Sequence, residues 1–312
     1  MILTLTLNPS VDINYKLKDL QIDGTNRTEN VSKSFGGKGL NVARVVKQLR
    51  MEVGATGFLG GHLGAFIRSG IDKSGIEDHF VQIEDETRNC IAVIHEGKQT
   101  EILEAGPVIQ VDEHRKLSNT LKNIFSDIDI ITISGSLPKG LDDGLYSEIL
   151  KLASEYDVKV LLDTSGKLLK ATLDGEYKPF FIKPNQEELS DLLGLGTVEE
   201  TQILESLRTE YFSKIPLVVI TMGDEGAYVK YKKAIYKVDV PKINVVNPVG
   251  SGDSVVAGFA AGLKQNMEDH ELIKFGLSMG VLNAMEAETG SINFNNIQWC
   301  INQISFIKQW TI

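Results

Sequence analysis

"NPVGSGDS", residues 247–254, is a glycine-rich turn that runs into a helix-like stretch. Backbone N–H groups and the positive end of a helix favour an anion at such a place. A P-loop would set Lys and then Ser or Thr after its last glycine; here Asp253 follows Gly252. A carboxylate beside a phosphate is repulsive unless it has chemistry to do. One such task is general base, in which Asp253 takes the proton of a hydroxyl as that oxygen attacks phosphorus. Gly250, Ser251 and Gly252 would meanwhile present N–H groups to the charge on the transferring group. The plain alternative is an Asp that caps the helix.

Other stretches suit the same ligand. "GGKGLN", residues 36–41, sets Lys38 among Gly36, Gly37 and Gly39 and opens a helix at once. Glycine allows close backbone approach, so this reads as a second phosphate cradle or as a simple turn. "KPNQEEL", residues 183–189, follows a strand-like run. Lys183 could meet phosphate oxygens as a point charge. Asn185 and Glu188 offer hard oxygens suited to Mg²⁺, directly or through water, although Asn followed by Glu three residues on is also an ordinary capping box. "TMGDEG", residues 221–226, places Thr221, Gly223 and Gly226 at the end of a strand, where ligands or a hairpin turn are equally natural. Asp12 in "NPSVD" could accept sugar hydroxyls, Arg27 and Arg88 could grip a phosphate, and Ser136 in "SGSLPKG" ends another strand. Taken singly, each of these four reads more simply as solvated surface.

Between these stretches, short β-rich apolar runs alternate with helix-like segments. Expected strands are Ile2–Leu7, Val53–Phe58, Ile128–Ile133, Lys159–Leu162, Phe180–Ile182 and Leu217–Thr221; expected helices include Leu40–Leu49 and Leu145–Ser154. Val42, Val46 and Leu49 share one helical face. Such alternation predicts an α/β architecture, a mainly parallel sheet with helices on both faces. Residues 10–35 and the hairpin pattern "CIAVIHEGKQTEIL", residues 90–103, break it. They predict either a small sheet lying over the main one or an ordinary edge hairpin. Gly258 and Gly262, then Gly276, Gly280 and Ala284, form small-residue stripes that predict tight helix packing. "GATGFLGG", residues 54–61, has the glycine spacing of a dinucleotide loop, so an NAD-dependent oxidoreductase is a remote alternative, without a clear acidic ribose partner downstream.

The chain has 312 residues, 42% of them apolar, and a formal net charge of −10. That charge argues against nucleic acid or an anionic membrane surface as the main partner. Cys90 and Cys300 form neither a disulfide framework nor a metal spacing, which suits a reducing cytosol. The N-terminus lacks a basic leader, and no apolar run reaches membrane-spanning length, so a cytoplasmic protein is expected.

"GGKGLN" early and "GSGDS" late, with "NPSVD", "SGSLPKG", "KPNQEEL" and "TMGDEG" between them or before, resemble the ribokinase-like (PfkB) carbohydrate kinase family nearly end to end, in its phosphosugar kinase branch. The resemblance implies one three-layer kinase domain over residues 1–312. It also implies a small β-sheet lid from about 10–35 and 88–105, and a homodimer through the lids. It implies ATP and Mg²⁺ as cofactors and phosphorylation of the C1 hydroxyl of a ketohexose 6-phosphate, foremost tagatose 6-phosphate, with fructose 1-phosphate as rival. By the same resemblance Asp253 is the base and Gly250, Ser251 and Gly252 the anion hole. Asp12, Arg27, Gly36, Gly37, Lys38, Asn41, Arg88 and Ser136 would face the phosphosugar. Lys183, Asn185, Thr221, Gly223, Gly226 and Asn283 would face the nucleotide, and Asn185 and Glu188 the Mg²⁺. Many relatives read D-T-x-G-A-G-D where this chain has Asn247 through Asp253, so the resemblance does not by itself imply a monovalent-cation site. A sugar-binding regulator without catalysis would share the fold, but the intact Asp253 and its glycine turn speak against it.

Overall fold

The computed structural model describes residues 1–311. Among these, eleven strands form one large sheet. Its parallel part runs, in spatial order, Leu217–Thr221, Phe181–Ile182, Lys159–Asp163, Ile130–Ser134, Ile2–Thr6 and Val53–Gly60. Beyond Leu217–Thr221, three antiparallel strands, Ala227–Tyr231, Ala234–Asp239 and Ser305–Thr311, complete that side.

Strict alternation along the central strands explains the layers. Ile130, Leu161, Leu217 and Val219 pack on one face, among the helices Lys38–Gln48, Ser251–Lys264 and Asp269–Ala284. Ile131, Ile133, Val160, Leu162, Val218 and Ile220 pack on the other, against Val111–Ile124, Leu145–Glu155 and Glu200–Arg208. Side chains of successive strand residues point to opposite faces, so a strand apolar at every position needs cover on both.

The chain leaves Ile2–Thr6 for Val53–Gly60 on one side and later fills Ile130–Ser134 on the other. That reversal of strand order is where open α/β sheets bind ligands, outside the carboxyl ends of the strands. Thr6, Ser134, Asp163 and Lys183 stand at those ends.

The two irregular regions form a separate four-stranded sheet, ordered Val31–Gly36, Ser10–Lys16, Arg88–His95 and Lys98–Leu103. Glu96 and Gly97 have positive φ values of 49° and 72°, which makes the expected turn of the hairpin. The hairpin is not an edge of the main sheet, because Arg88–His95 pairs in parallel with Ser10–Lys16.

The small-residue stripes hold two helices close. A Cβ on Gly258 would lie 2.9 Å from the Gly276 Cα, and one on Gly276 would lie 2.5 Å from the buried Phe259 ring. That ring in turn packs on Phe181, with centroids 5.1 Å apart.

The dinucleotide alternative fails on geometry. Residues Val53–Gly60 are a fully buried strand rather than a loop. A Cβ on Gly57 would lie 1.9 Å from the Thr6 carbonyl oxygen, and one on Gly60 would lie 2.0 Å from that of Asp85. The space a pyrophosphate would need is filled by the protein's own backbone.

Candidate active site

Gly250, with φ 81°, turns the chain into the helix Ser251–Lys264. A left-handed residue there favours glycine. Asp253 therefore falls in the first helical turn and is only 6% exposed. The Nδ2 of Asn41, from the helix Lys38–Gln48, donates to Asp253 Oδ2 at 2.7 Å. Burial pushes the Asp253 carboxyl up to about 6, helped by the nearby Asp163 charge and opposed by Lys38, the Asn41 bond and Lys183. A carboxylate poised there can both hold charge and take a proton near neutrality.

Asp163 lies beneath it, 1% exposed, at the end of its strand. Its Oδ1 is 3.2 Å from Lys183 Nζ and its Oδ2 is 3.5 Å from Lys38 Nζ. Burial alone would push this carboxyl up, but the two ammonium groups hold it below the usual range. The Asp163 charge, in turn, is the main cause that pushes Lys38 up to about 12. Two cations, one carboxylate and the glycine turn thus meet at one point. A Cβ on Gly252 would lie 3.0 Å from Lys183 Nζ.

The small sheet supplies the other wall. Ser10 Oγ donates to Asp12 Oδ1 at 2.6 Å. Burial raises the Asp12 carboxyl, while the Ser10 bond, Arg44 and Arg88 oppose the shift. Gly36 has no Cβ because one would sit 1.9 Å from Asp12 Oδ2. Arg88 donates from Nε and Nη2 to the Asn8 carbonyl and from Nη1 to that of Glu104. Between the sheets is a cavity of about 480 Å³ bordered by Thr6, Gly37, Lys38, Arg88, Ser134 and Ser136, among others. Thr6 Oγ1, Asn8 Oδ1 and Ser134 Oγ border it buried and without hydrogen-bond partners, which suits a polar ligand.

Of the expected site residues, Gly37, Lys38, Arg88 and Ser136 border this cavity, and Asn41, Lys183 and Asp253 gather beside Lys38, but three sets are placed differently. Arg27 is exposed and borders a second hollow with Tyr15, Leu17 and Val93, apart from the first cavity. Asn283 is fully buried with its amide spent. It donates to the Val249 carbonyl and to Ser251 Oγ, and accepts from Ser254 Oγ and the Gly290 N–H, so it braces the glycine turn from within rather than facing a ligand. Asn185 and Glu188 form the reciprocal capping box, at 2.8 and 2.9 Å. Thr221 pairs with Asn185 across a single bridge, and Gly223–Glu225 makes the tight turn that follows.

For Mg²⁺, no cluster of three or more His, Cys, Asp or Glu groups suited to a metal occurs among the described residues. A cage built wholly of protein therefore does not fit. The capping box leaves Glu188 one carboxylate oxygen beyond that bond, which fits an ion that keeps its waters and binds mainly to phosphate oxygens.

Two residues that matter in this geometry escape sequence reading. Asp163, in "LLDTSG", residues 161–166, ends a core strand and signals itself only by being acidic at a carboxyl end. Arg44 is three residues after Asn41 on one helix face and is described below.

Residues 5–294 match the pfkB family carbohydrate kinase profile. A tagatose-6-phosphate kinase of Staphylococcus epidermidis is 46% identical over 309 residues, covering 99% of this chain and all of that protein. Phosphofructokinase-2 of Escherichia coli, solved in complex with fructose-6-phosphate, superposes with a TM-score of 0.85 at 26% identity, covering 96% of this chain and 98% of that one. A Thermotoga maritima protein with the provisional name 1-phosphofructokinase superposes with a TM-score of 0.88 at 25% identity, covering 100% and 99%.

Proposed function

The chain belongs to the pfkB family of carbohydrate kinases, and from that premise we propose that it transfers the γ-phosphoryl group of ATP to the C1 hydroxyl of D-tagatose 6-phosphate. The product is D-tagatose 1,6-bisphosphate. The observation that carries the reaction is Asp253, buried at a helix start beside a glycine turn and held by Asn41.

The chemistry follows from the residues. Asp12 and Asn41 hold sugar hydroxyls, and Lys38 and Arg88 meet the sugar phosphate, with Ser136 at the rim. Asp253 Oδ2 is occupied by Asn41, so Oδ1 receives the C1 proton. The freed oxygen forms its bond to the γ-phosphorus as the bridging bond to ADP breaks. The N–H groups after Gly250, together with Lys183, stabilise the charge on the moving group. Asn185, Thr221, Gly223 and Gly226 border the nucleotide side. Mg²⁺, near Glu188, supplies charge neutralisation of the ATP phosphates when bound.

The likeness to the protein named 1-phosphofructokinase favours a second reading, fructose 1-phosphate as acceptor, with phosphate and hydroxyl ends exchanged. Coupled ADP-release assays should give a higher kcat/KM for tagatose 6-phosphate than for fructose 6-phosphate or fructose 1-phosphate. A preference for fructose 1-phosphate would establish the second reading instead.

We also propose that the small sheet acts as a lid and dimerises. Ile22, Val31, Ile102 and Leu103 are exposed on it or beside it, an apolar surface that a second copy would cover. Sedimentation should then give twice the 34.3 kDa chain mass; a monomer at assay concentration refutes it. No helix among the described residues is long and apolar enough to cross a membrane, and both cysteines are free, which supports a cytoplasmic setting.

A further inference from the structure

Arg44 is held on three sides. Its Nη1 donates to the Phe35 carbonyl at 2.6 Å, and its Nη2 donates to the Thr289 carbonyl at 3.0 Å and also to Asn41 Oδ1. Its guanidinium lies 4.8 Å from the centroid of the Phe35 ring. These contacts tie together a strand of the small sheet, the helix Lys38–Gln48 and the loop after Asn283. A half-buried arginine fixed in this way has little freedom to turn.

The consequence falls on Asn41. An amide has one accepting end and one donating end, and nothing in its shape says which way round it sits. Arginine has donors only. Facing Arg44, Asn41 must present Oδ1, which leaves Nδ2 as the group that meets Asp253. Reversed, the amide would set an oxygen against a carboxylate. We propose that Arg44 is a positioning residue, which locks the Asn41 amide so that the base always receives a hydrogen bond in its charged form.

This inference rests on the reading of Asp253 as general base. The charged groups around Asp253 are Asp163, Lys38, Lys183 and Arg44 itself, and those around Arg44 are Asp12, Asp253 and Glu288. Losing Arg44 removes a cation and frees the amide to reverse. Both changes favour the protonated acid, so the carboxyl should rise from about 6.

The test is the pH dependence of kcat/KM for the phosphosugar in the wild type, Arg44→Lys, Arg44→Met and Asn41→Leu. The wild-type acid limb is expected near pH 6. In Arg44→Met it should move up by about one unit, so that kcat/KM falls about twofold at pH 7 and roughly tenfold at pH 5, and is recovered at about pH 8.5. KM for ATP should change less than about twofold. Arg44→Lys keeps the charge and should fall between the two. Adding Arg44→Met to Asn41→Leu should cost clearly less than it does in the wild type, because only the loss of the charge is then left to act. A limb that does not move, or a full additive loss in the double variant, overturns the proposal. If Arg44→Met does not fold, the Arg44→Lys limb decides: it moves up, or the proposal fails. An active Asp253→Asn enzyme would sink the base assignment instead, so the two failures are distinguishable.

Discussion

Asp253→Asn should lower kcat by about 10³-fold or more and leave ATP binding within a few-fold of the wild type. The replacement keeps the shape, the helix start and the glycine turn, so what it removes is the capacity to take a proton. Nucleotide titration monitored by fluorescence, beside steady-state kinetics, checks both halves. Turnover within tenfold of the wild type would mean that another group accepts the proton.

The same variant should be more stable than the wild type at neutral pH. The folded Asp253 carboxyl sits at about 6, above its usual value, because burial and the Asp163 charge disfavour the anion. Below the ordinary carboxylate value of about 3.9, folded and unfolded forms are both protonated and there is no penalty. Between about 3.9 and the folded value the unfolded chain ionises more readily, and folding loses stability as pH rises. At neutral pH the full penalty is present, on the order of 1–3 kcal/mol. Asp253→Asn escapes it, so its urea midpoint should exceed the wild-type midpoint at pH 7 and the gap should close near pH 4.

Asp163→Asn should do the opposite to stability. Asp163 neutralises Lys183, whose side chain is 5% exposed, and Lys38. Removing one partner of a buried pair leaves an uncompensated charge and costs about 3–5 kcal/mol. Urea unfolding at pH 7 measures it. A loss below about 1 kcal/mol would mean that Lys183 reaches water once the anion is gone. The kinetic effect has a definite direction as well. Asp253 loses a repelling anion and faces two freed ammonium groups, so its carboxyl falls below 6 and the acid limb of kcat/KM moves down. That is the reverse of the shift expected for Arg44→Met, and a comparison of the two variants separates charge repulsion from amide orientation.

The parallel strands were legible because their runs are largely apolar, with a few threonines, as burial on two faces demands. Ile2–Thr6, Lys159–Asp163 and Leu217–Thr221 fall within a residue of their expected limits. Asp253 and Lys38 stand out because glycines beside them announce close approach, whereas Asn41 is named only by the family resemblance. Asp163 was not, because an acid following an apolar run looks like the first residue of a turn, and only the positions of Lys38 and Lys183 reveal its work. Arg44 was hidden for a related reason. On an amphipathic helix a basic residue reads as solvated, and it is buried here by Phe35, from the small sheet, and by Thr289, 245 residues away. Asn283 shows the converse: the family resemblance sets it on the nucleotide side, whereas its hydrogen-bond partners here belong to the turn it supports.

Asp12 and Arg88 stand on the four-stranded sheet, whereas Asp163 and Lys183 lie at strand ends of the eleven-stranded one and Asp253 on a helix packed against it. In the proposed reaction, recognition of the acceptor is therefore shared between two scaffolds, whereas transfer of the phosphoryl group rests on the larger one alone. Mutation can redraw the first while the second stays intact. A family built this way can change its sugar without reinventing its chemistry, and directed evolution of a new acceptor should begin with residues 10–36 and 88–103.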